Sequence, residues 1–128
     1  TMLFLIQPKL GTIPVISEKY CLTGVPTSGL KSAITKNIEL ILKDNTGKVY
    51  KFGKTGCPPV RVDQKDYREA SYELMYVLYR GRNINFVEYL EKYYATKYSQ
   101  RNLNENVDTE SLGTMVSRDG FYAFYIVI

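Results

Sequence analysis

The segment KVYKFGKTGCPPVR, residues 48–61, contains the residue types and spacings that most suggest chemistry. Its Gly-Lys-Thr triplet begins at Gly53. A phosphate-binding P-loop needs another glycine five residues earlier, so that successive backbone amides curl around the phosphates. That position is Lys48, Gly47 misses it by one residue, and two prolines follow where a helix should begin. The segment is therefore better explained as a strand end that leads through a turn to Arg61.

The composition of the 128-residue chain excludes several kinds of catalytic site, because it contains no histidine. Serine or cysteine triads of the usual kind, zinc sites with histidine ligands and imidazole bases are all ruled out. The two cysteines, Cys21 and Cys57, are too few for a zinc site, and we interpret them as reduced thiols of an intracellular protein, cytoplasmic or nuclear. Acid–base chemistry must then use Tyr, Lys, Glu, Asp or bound water.

Length and charge favour one domain without a membrane segment, and the charge is compatible with a polyanionic partner without requiring one. Seventeen Lys and Arg residues against thirteen Asp and Glu residues give a net charge of +4, which is compatible with nucleic acid. The apolar residues 2–6 stop at Gln7 and Pro8, far short of the roughly 20 residues that cross a bilayer. We expect a single domain over residues 1–128, in which residues 1–36 form an N-terminal strand and an extension.

A β-hairpin is predicted in the middle of the chain. Residues 32–44 combine β-branched residues with leucines, and a DNTG turn then leads into KVYKFG. Two such runs joined by an Asn/Gly turn are typical of a hairpin. Cys57 precedes a proline and is disfavoured in a helix, so a short polar helix is predicted after it, over about residues 59–69.

Two further strands complete the predicted sheet. Residues 71–79 have β-branched and aromatic content and end before Gly and Asn, although Leu74 and Met75 leave a helix as the alternative. The apolar run within residues 119–128 suits a final strand. Together with residues 2–6, these patterns predict an α+β fold of two layers, with a small, mainly antiparallel sheet that includes a hairpin and has flanking helices.

The clearest helix prediction covers residues 83–101, with an asparagine N-cap and basic residues near the end. At about 100° per residue, its apolar side chains gather on one arc. These side chains are Phe86, Val87, Leu90, Tyr93, Tyr94 and Tyr98. Glu91 lies at the edge of that arc, whereas Glu88 lies further round, on the side expected to face solvent.

This set of residues resembles the GIY-YIG nuclease superfamily, and most closely the viral and phage branches that write the second motif as YKIG. The family pattern is a hairpin carrying the two triplets, a lysine after the second glycine, an arginine on the first helix, a glutamate on a later helix and often an asparagine beyond it. Here Arg61 follows Gly53 by eight residues, and Glu91 lies in a similar Leu-Glu helix. The matching positions are Lys51, Phe52, Gly53, Lys54, Arg61, Glu91, Asn102 and Asn104.

The first triplet of the family pattern has two possible places. A gap of ten residues between the triplets places the first one at residues 38–40, so that the resemblance covers about residues 37–104. The other alignment uses residues 3–5, treats residues 8–36 as an insertion and covers the whole chain. Neither alignment supplies a family tyrosine.

The resemblance implies a metal-dependent endonuclease. Glu91 would hold a single Mg²⁺ or Mn²⁺ ion, Arg61 would stabilise the transition state at the phosphate, and Lys54 would position the phosphate. With the hairpin tyrosines absent, Tyr67 and Lys51 are the candidates for the base that activates water. Gly53, Asn102 and Asn104 would have structural roles.

Two other functions fit the same sequence. The first is a nucleic-acid-binding module, for DNA in particular, that has kept the fold without cleavage, since basic residues crowd around the predicted hairpin and the helix after it. These residues are Lys43, Lys48, Lys51, Lys54, Arg61, Lys65 and Arg68. The second is a structural or interaction protein, because tyrosine, present 12 times, is enriched at protein interfaces.

Overall fold

A computed structural model of the protein describes residues 13–101, 103–106 and 115–128. The predicted strand at residues 2–6, the alternative first triplet at residues 3–5 and Asn102 lie outside these ranges. Within them, no helix combines the length and the apolar character needed to cross a membrane. Cys21 and Cys57 are both free thiols.

The described residues form a four-stranded sheet and four helices. In chain order these are β1 (Val15–Ser17), α1 (Ser28–Asp44), β2 (Lys51–Thr55), α2 (Pro58–Val62), α3 (Lys65–Ala70), β3 (Leu74–Gly81), α4 (Ile84–Lys97) and β4 (Tyr122–Val127). The strand order is β1-β3-β4-β2. Strand β4 is antiparallel to both of its neighbours, and β1 is parallel to β3. The predicted α+β class with a mainly antiparallel sheet is confirmed.

The predicted hairpin is wrong, because its first strand is the helix α1. The Thr27 side chain caps this helix by accepting a hydrogen bond from the backbone N–H of Leu30. Ile34, Ile38 and Ile41 are buried along one side. Their spacing of four and three residues is helical, and burial of this stripe outweighs the strand preference of β-branched residues. The placement of the first GIY-YIG triplet at residues 38–40 fails with it, since those residues are helical.

The other predicted elements are present with shifted boundaries. Strand β3 and helix α4 lie within four residues of their predicted limits, and Asn83 caps α4 by accepting from the N–H of Phe86, 3.1 Å away. The single helix predicted over residues 59–69 is divided into α2 and α3, because Asp63 and Gln64 interrupt it. The final strand is confirmed as β4.

Two apolar clusters lie on opposite faces of the sheet, because successive residues of a strand point to opposite sides. Phe124 and Ile126 of β4 pack in the large cluster with α1 and α4. Tyr125 and Val127 pack in the small cluster with residues of α2 and α3. Helix α4 and the α2–α3 pair therefore approach the sheet from different sides.

Candidate functional site

A cleft of about 710 Å³ opens around the edge strand β2. Its charged and phenolic lining residues are Lys51, Lys54, Arg61, Tyr67, Glu91, Arg118 and Tyr125. Among the residues that the structure describes, four cationic side chains thus face the cleft with one carboxylate. Such a cleft attracts anions, because low-dielectric walls strengthen the field of the lining charges.

The five residues predicted to take part in catalysis all line this cleft, although they come from β2, α2, α3 and α4. Four of the seven basic residues predicted to contact nucleic acid lie outside the lining set, namely Lys43, Lys48, Lys65 and Arg68. Lys48 pairs with Glu73 at 2.7 Å, Lys65 pairs with Glu69, and Arg68 pairs with an aspartate of the α2–α3 junction. Their contacts with nucleic acid remain predictions.

Arg61 is held in position by three neighbouring groups. Its Nη1 and Nη2 donate to the two carboxylate oxygens of Asp66 at 2.9 and 3.0 Å, and Nη1 also donates to Gln64 at 2.6 Å. The guanidinium carbon lies 3.8 Å from the centre of the Tyr67 ring. The hydrogen bonds from Arg61 lower the pKa of Asp66, so the pair stays ionised at neutral pH. A preorganised guanidinium loses little freedom on meeting a phosphate.

Tyr67 and Tyr125 form a buried phenol pair beside Arg61. Their hydroxyl oxygens are 2.6 Å apart, and the rings meet edge to face. Burial raises the pKa of both phenols. Both hydroxyls are therefore protonated at neutral pH, and since the bond between them uses one O–H, the second O–H remains available as a donor.

Gly53 is the position in β2 where the Tyr125 ring crosses the backbone. The two residues are opposite each other in the antiparallel pairing of β2 with β4. A Cβ atom at position 53 would lie 2.4 Å from the Tyr125 hydroxyl oxygen and 2.5 Å from its Cζ. Glycine is thus required by close approach, and not as part of a phosphate-binding loop.

Lys54 and the glutamates of α4 form the other wall of the cleft. The Lys54 side chain is only 8% exposed, and its Nζ donates to Glu88 at 3.2 Å. Glu88 was expected to face solvent, but the ion pair draws it toward the sheet and leaves it partly buried. Glu91 follows Glu88 by three residues, is 8% exposed, and lines the cleft itself.

Asn104 and Asn106 organise the outer edge of β2. The Asn106 side chain accepts from the N–H of Phe52 at 2.9 Å and donates to the C=O of Phe52 at 3.0 Å, as a neighbouring strand would. Asn104 accepts from the backbone N–H of Asn106 and donates to the C=O of Tyr98 at the end of α4. The structural role expected for Asn104 is thus that of a link between α4 and the strand that carries Gly53.

Replacing Asn106 with alanine is expected to destabilise the protein by about 1–3 kcal/mol, because the N–H and C=O of the buried residue Phe52 both lose their side-chain partner. Urea unfolding followed by circular dichroism would measure the change. Asn85→Ala, at an exposed position of α4, is the matched control and should stay within about 0.5 kcal/mol of the parent. Equal stability of the two variants would show that the Asn106 contacts are not needed.

The chemistry of the donor set limits how the cleft can hold a metal ion. Among the described residues, no group of three or more His, Cys, Asp or Glu side chains is placed to hold one. Glu91 is the carboxylate that lines the cleft, and Glu88 is engaged by Lys54. Magnesium is commonly bound through one or two carboxylates, phosphate oxygens of a substrate and water. The one carboxylate that lines the cleft among the described residues falls within this range.

Sequence reasoning missed three residues of the cleft region. Tyr125 and Arg118 belong to the C-terminal end of the chain, and Asn106 lies in the segment after α4. The aromatic run GFYAFYIVI was a signal for Tyr125, since a tyrosine inside a buried strand must direct its hydroxyl to a polar partner. The sequence carries no comparable signal for Arg118.

A scan of protein-family models and searches of curated proteins and of solved structures found no match to this chain.

Proposed function

We propose that the protein binds nucleic acid in the cleft and hydrolyses a phosphodiester bond there with the help of a divalent cation. The observation that carries this proposal is that Arg61, Glu91 and the Tyr67–Tyr125 pair, from four separate elements, line one basic cleft. Phosphodiester hydrolysis requires neutralisation of the phosphoryl charge while water attacks and an oxygen leaves. Cations and phenolic donors beside one carboxylate meet that requirement.

The pairing of β2 keeps one feature of the GIY-YIG pattern, a tyrosine opposite the motif glycine, whereas the hairpin strand of that pattern is replaced by helix α1. In that pattern, the strand that ends in the motif glycine pairs with a strand that carries a tyrosine. Here β4 is the antiparallel partner, and it places Tyr125 opposite Gly53. We therefore assign to Tyr125 the tyrosine position that neither alignment could fill, with the partner strand at the end of the domain instead of before β2.

Arg61 would hold the phosphoryl oxygens, because Asp66 and the Tyr67 ring keep its guanidinium from turning away. The protonated Tyr67–Tyr125 pair would donate its remaining O–H to a phosphoryl oxygen or to the attacking water. Lys54 would balance the charge of the phosphate at the opposite wall.

Glu91 would hold the Mg²⁺ or Mn²⁺ ion, which when bound neutralises phosphate charge and makes its water a stronger nucleophile. The raised pKa of Tyr67 argues against this residue as the base in the resting protein. Lys51, which lines the same cleft, is then the remaining candidate of the two that the sequence offered.

Cleavage of labelled branched, single-stranded and duplex DNA tests this proposal, with Mg²⁺, with Mn²⁺ and with EDTA. We expect metal-dependent cleavage that Arg61→Ala lowers by about 10²–10³-fold, since a positioned charge donor is lost. Arg101→Ala is the matched control, because Arg101 pairs with Glu39 away from the cleft. No cleavage by the wild type with either metal, or full activity of Arg61→Ala, would refute the proposal.

A second candidate, nucleic-acid binding without cleavage, is favoured by the presence of a single carboxylate among the described residues that line the cleft, and by the protonated state of both phenols. It predicts salt-dependent binding that weakens when Lys54 or Arg61 is replaced. Cleavage would then be absent with either metal, even at high protein concentration.

A further inference from the structure

The outward side of α4 carries a second feature, which we call the Tyr89–Tyr93 surface. The rings of Tyr89 and Tyr93 are stacked, with centroids 5.8 Å apart and planes 28° apart, and Phe86 continues the stack at 6.2 Å from Tyr89. Tyr89 is 46% exposed. Phe86 belongs to the core and Tyr93 packs partly against it, so the rings that this side of α4 presents to solvent are Tyr89 and the half-buried Tyr93.

The Tyr89–Tyr93 surface is separate from the cleft. Tyr89 and Tyr93 each lie two residues from Glu91, which corresponds to about 200° around the helix. Glu91 faces the cleft, so the two tyrosines point to the other side of α4. A ligand on this surface and a phosphate in the cleft would not compete for the same space.

Lysines surround the two rings. The Nζ of Lys31, from α1, donates to the Tyr89 hydroxyl at 2.7 Å and lies 3.9 Å from the centre of the Tyr93 ring. Lys92 and Lys97 line a shallow groove of about 350 Å³ along the rings, and the Lys97 ammonium is 5.9 Å from the Tyr93 centroid. Among the described residues, the lining of this groove includes no carboxylate.

We infer that the Tyr89–Tyr93 surface binds unpaired bases of single-stranded nucleic acid. Every base has a flat face that stacks on an aromatic ring, and lysines beside the rings contact the phosphates between successive bases. A sugar-binding surface also uses aromatic rings, but it needs carboxylate or amide groups for the sugar hydroxyls, and the described residues of this lining carry hydroxyl and ammonium groups instead. The inference requires nucleic-acid binding but does not require cleavage in the cleft.

The absence of tryptophan from the sequence provides a direct probe. In a Tyr89→Trp variant, the indole is the lone tryptophan and reports stacking through quenching of its fluorescence. We expect (dT)₁₂ to quench this fluorescence, and the same strand paired with (dA)₁₂ to quench it much less, because paired bases are stacked on each other.

Affinity for labelled (dT)₁₂, followed by fluorescence anisotropy, tests the role of each group. Tyr93→Leu should bind about 5-fold to 150-fold more weakly, the range found when one base loses an aromatic partner. Tyr93→Phe keeps the ring and should bind like the parent, which separates stacking from loss of fold.

The salt dependence of binding tests the lysines. The double variant Lys92→Ala, Lys97→Ala should reduce the slope of log affinity against log salt by about 1.4. The control double variant Lys19→Ala, Lys36→Ala, at two exposed positions, should leave this slope unchanged.

The outcomes separate this inference from the proposed function. If (dT)₁₂ binding is lost in Arg61→Ala but unchanged in Tyr93→Leu, the surface proposal is refuted and the cleft proposal survives. If Tyr93→Leu weakens binding while the wild type cleaves nothing, the surface is supported and the nuclease proposal is refuted. Binding of vesicles of anionic lipid in preference to (dT)₁₂ would assign the surface to a membrane and overturn the inference.

Discussion

Glu91→Gln is expected to lower metal-dependent cleavage by about 100-fold or more while DNA binding stays equal or becomes tighter. The neutral amide is a poorer ligand for a hard cation than a carboxylate. At the same time, removal of the negative charge leaves the cleft with four cations and no lining carboxylate among the described residues, so phosphate is attracted more strongly. A loss of activity with a gain of affinity is a combination that simple misfolding does not produce.

Rates under single-turnover conditions and affinities in EDTA would measure the two effects separately. Glu73→Gln is the matched control, because Glu73 is an exposed carboxylate that pairs with Lys48 outside the cleft lining. Partial recovery of the Glu91→Gln rate at high Mn²⁺ concentration would identify the loss as one of metal affinity. Cleavage at the parental rate by Glu91→Gln would exclude this carboxylate from the reaction.

Much of the fold follows from local signals. Helix α4 is predictable because its apolar side chains repeat with helical spacing and Asn83 supplies the cap. The signal for α1 was also present, as the four- and three-residue spacing of Ile34, Ile38 and Ile41, but their β-branched side chains favour strands and led to the hairpin prediction. The spacing of the buried isoleucines was the better guide to the structure of α1, because burial of a continuous stripe outweighs the intrinsic strand preference of the residues.

The candidate site was predictable in part. Lys54, Arg61 and Glu91 were selected as a set, and the structure places them in one cleft. Tyr125 could not be selected in this way, because it is far from Gly53 in sequence and the strand pairing that joins them has no local signal.

Gly53→Ala is expected to destabilise the protein by about 1–3 kcal/mol, the usual cost of forcing atoms into a packed site. The new methyl group would lie 2.4 Å from the Tyr125 hydroxyl oxygen. The ring has little freedom to withdraw, because its hydroxyl is bonded to Tyr67 and its backbone is paired in β4 between two strands. Gly29→Ala is the control, since the nearest neighbour of its new methyl group is 3.8 Å away and alanine favours the helix.

A double-mutant cycle with Tyr125→Leu identifies the cause of that loss. In the leucine background the ring is gone, so Gly53→Ala should cost about 0.5–3 kcal/mol less than in the parent. Urea unfolding of the four proteins would give this coupling energy. An equal loss of stability in both backgrounds would show that glycine is required at position 53 by strand geometry and not by contact with Tyr125. A large coupling would mean that the ring which fixes the β2–β4 register also positions Tyr67 against Arg61, so that the fold and the candidate site depend on the same contact.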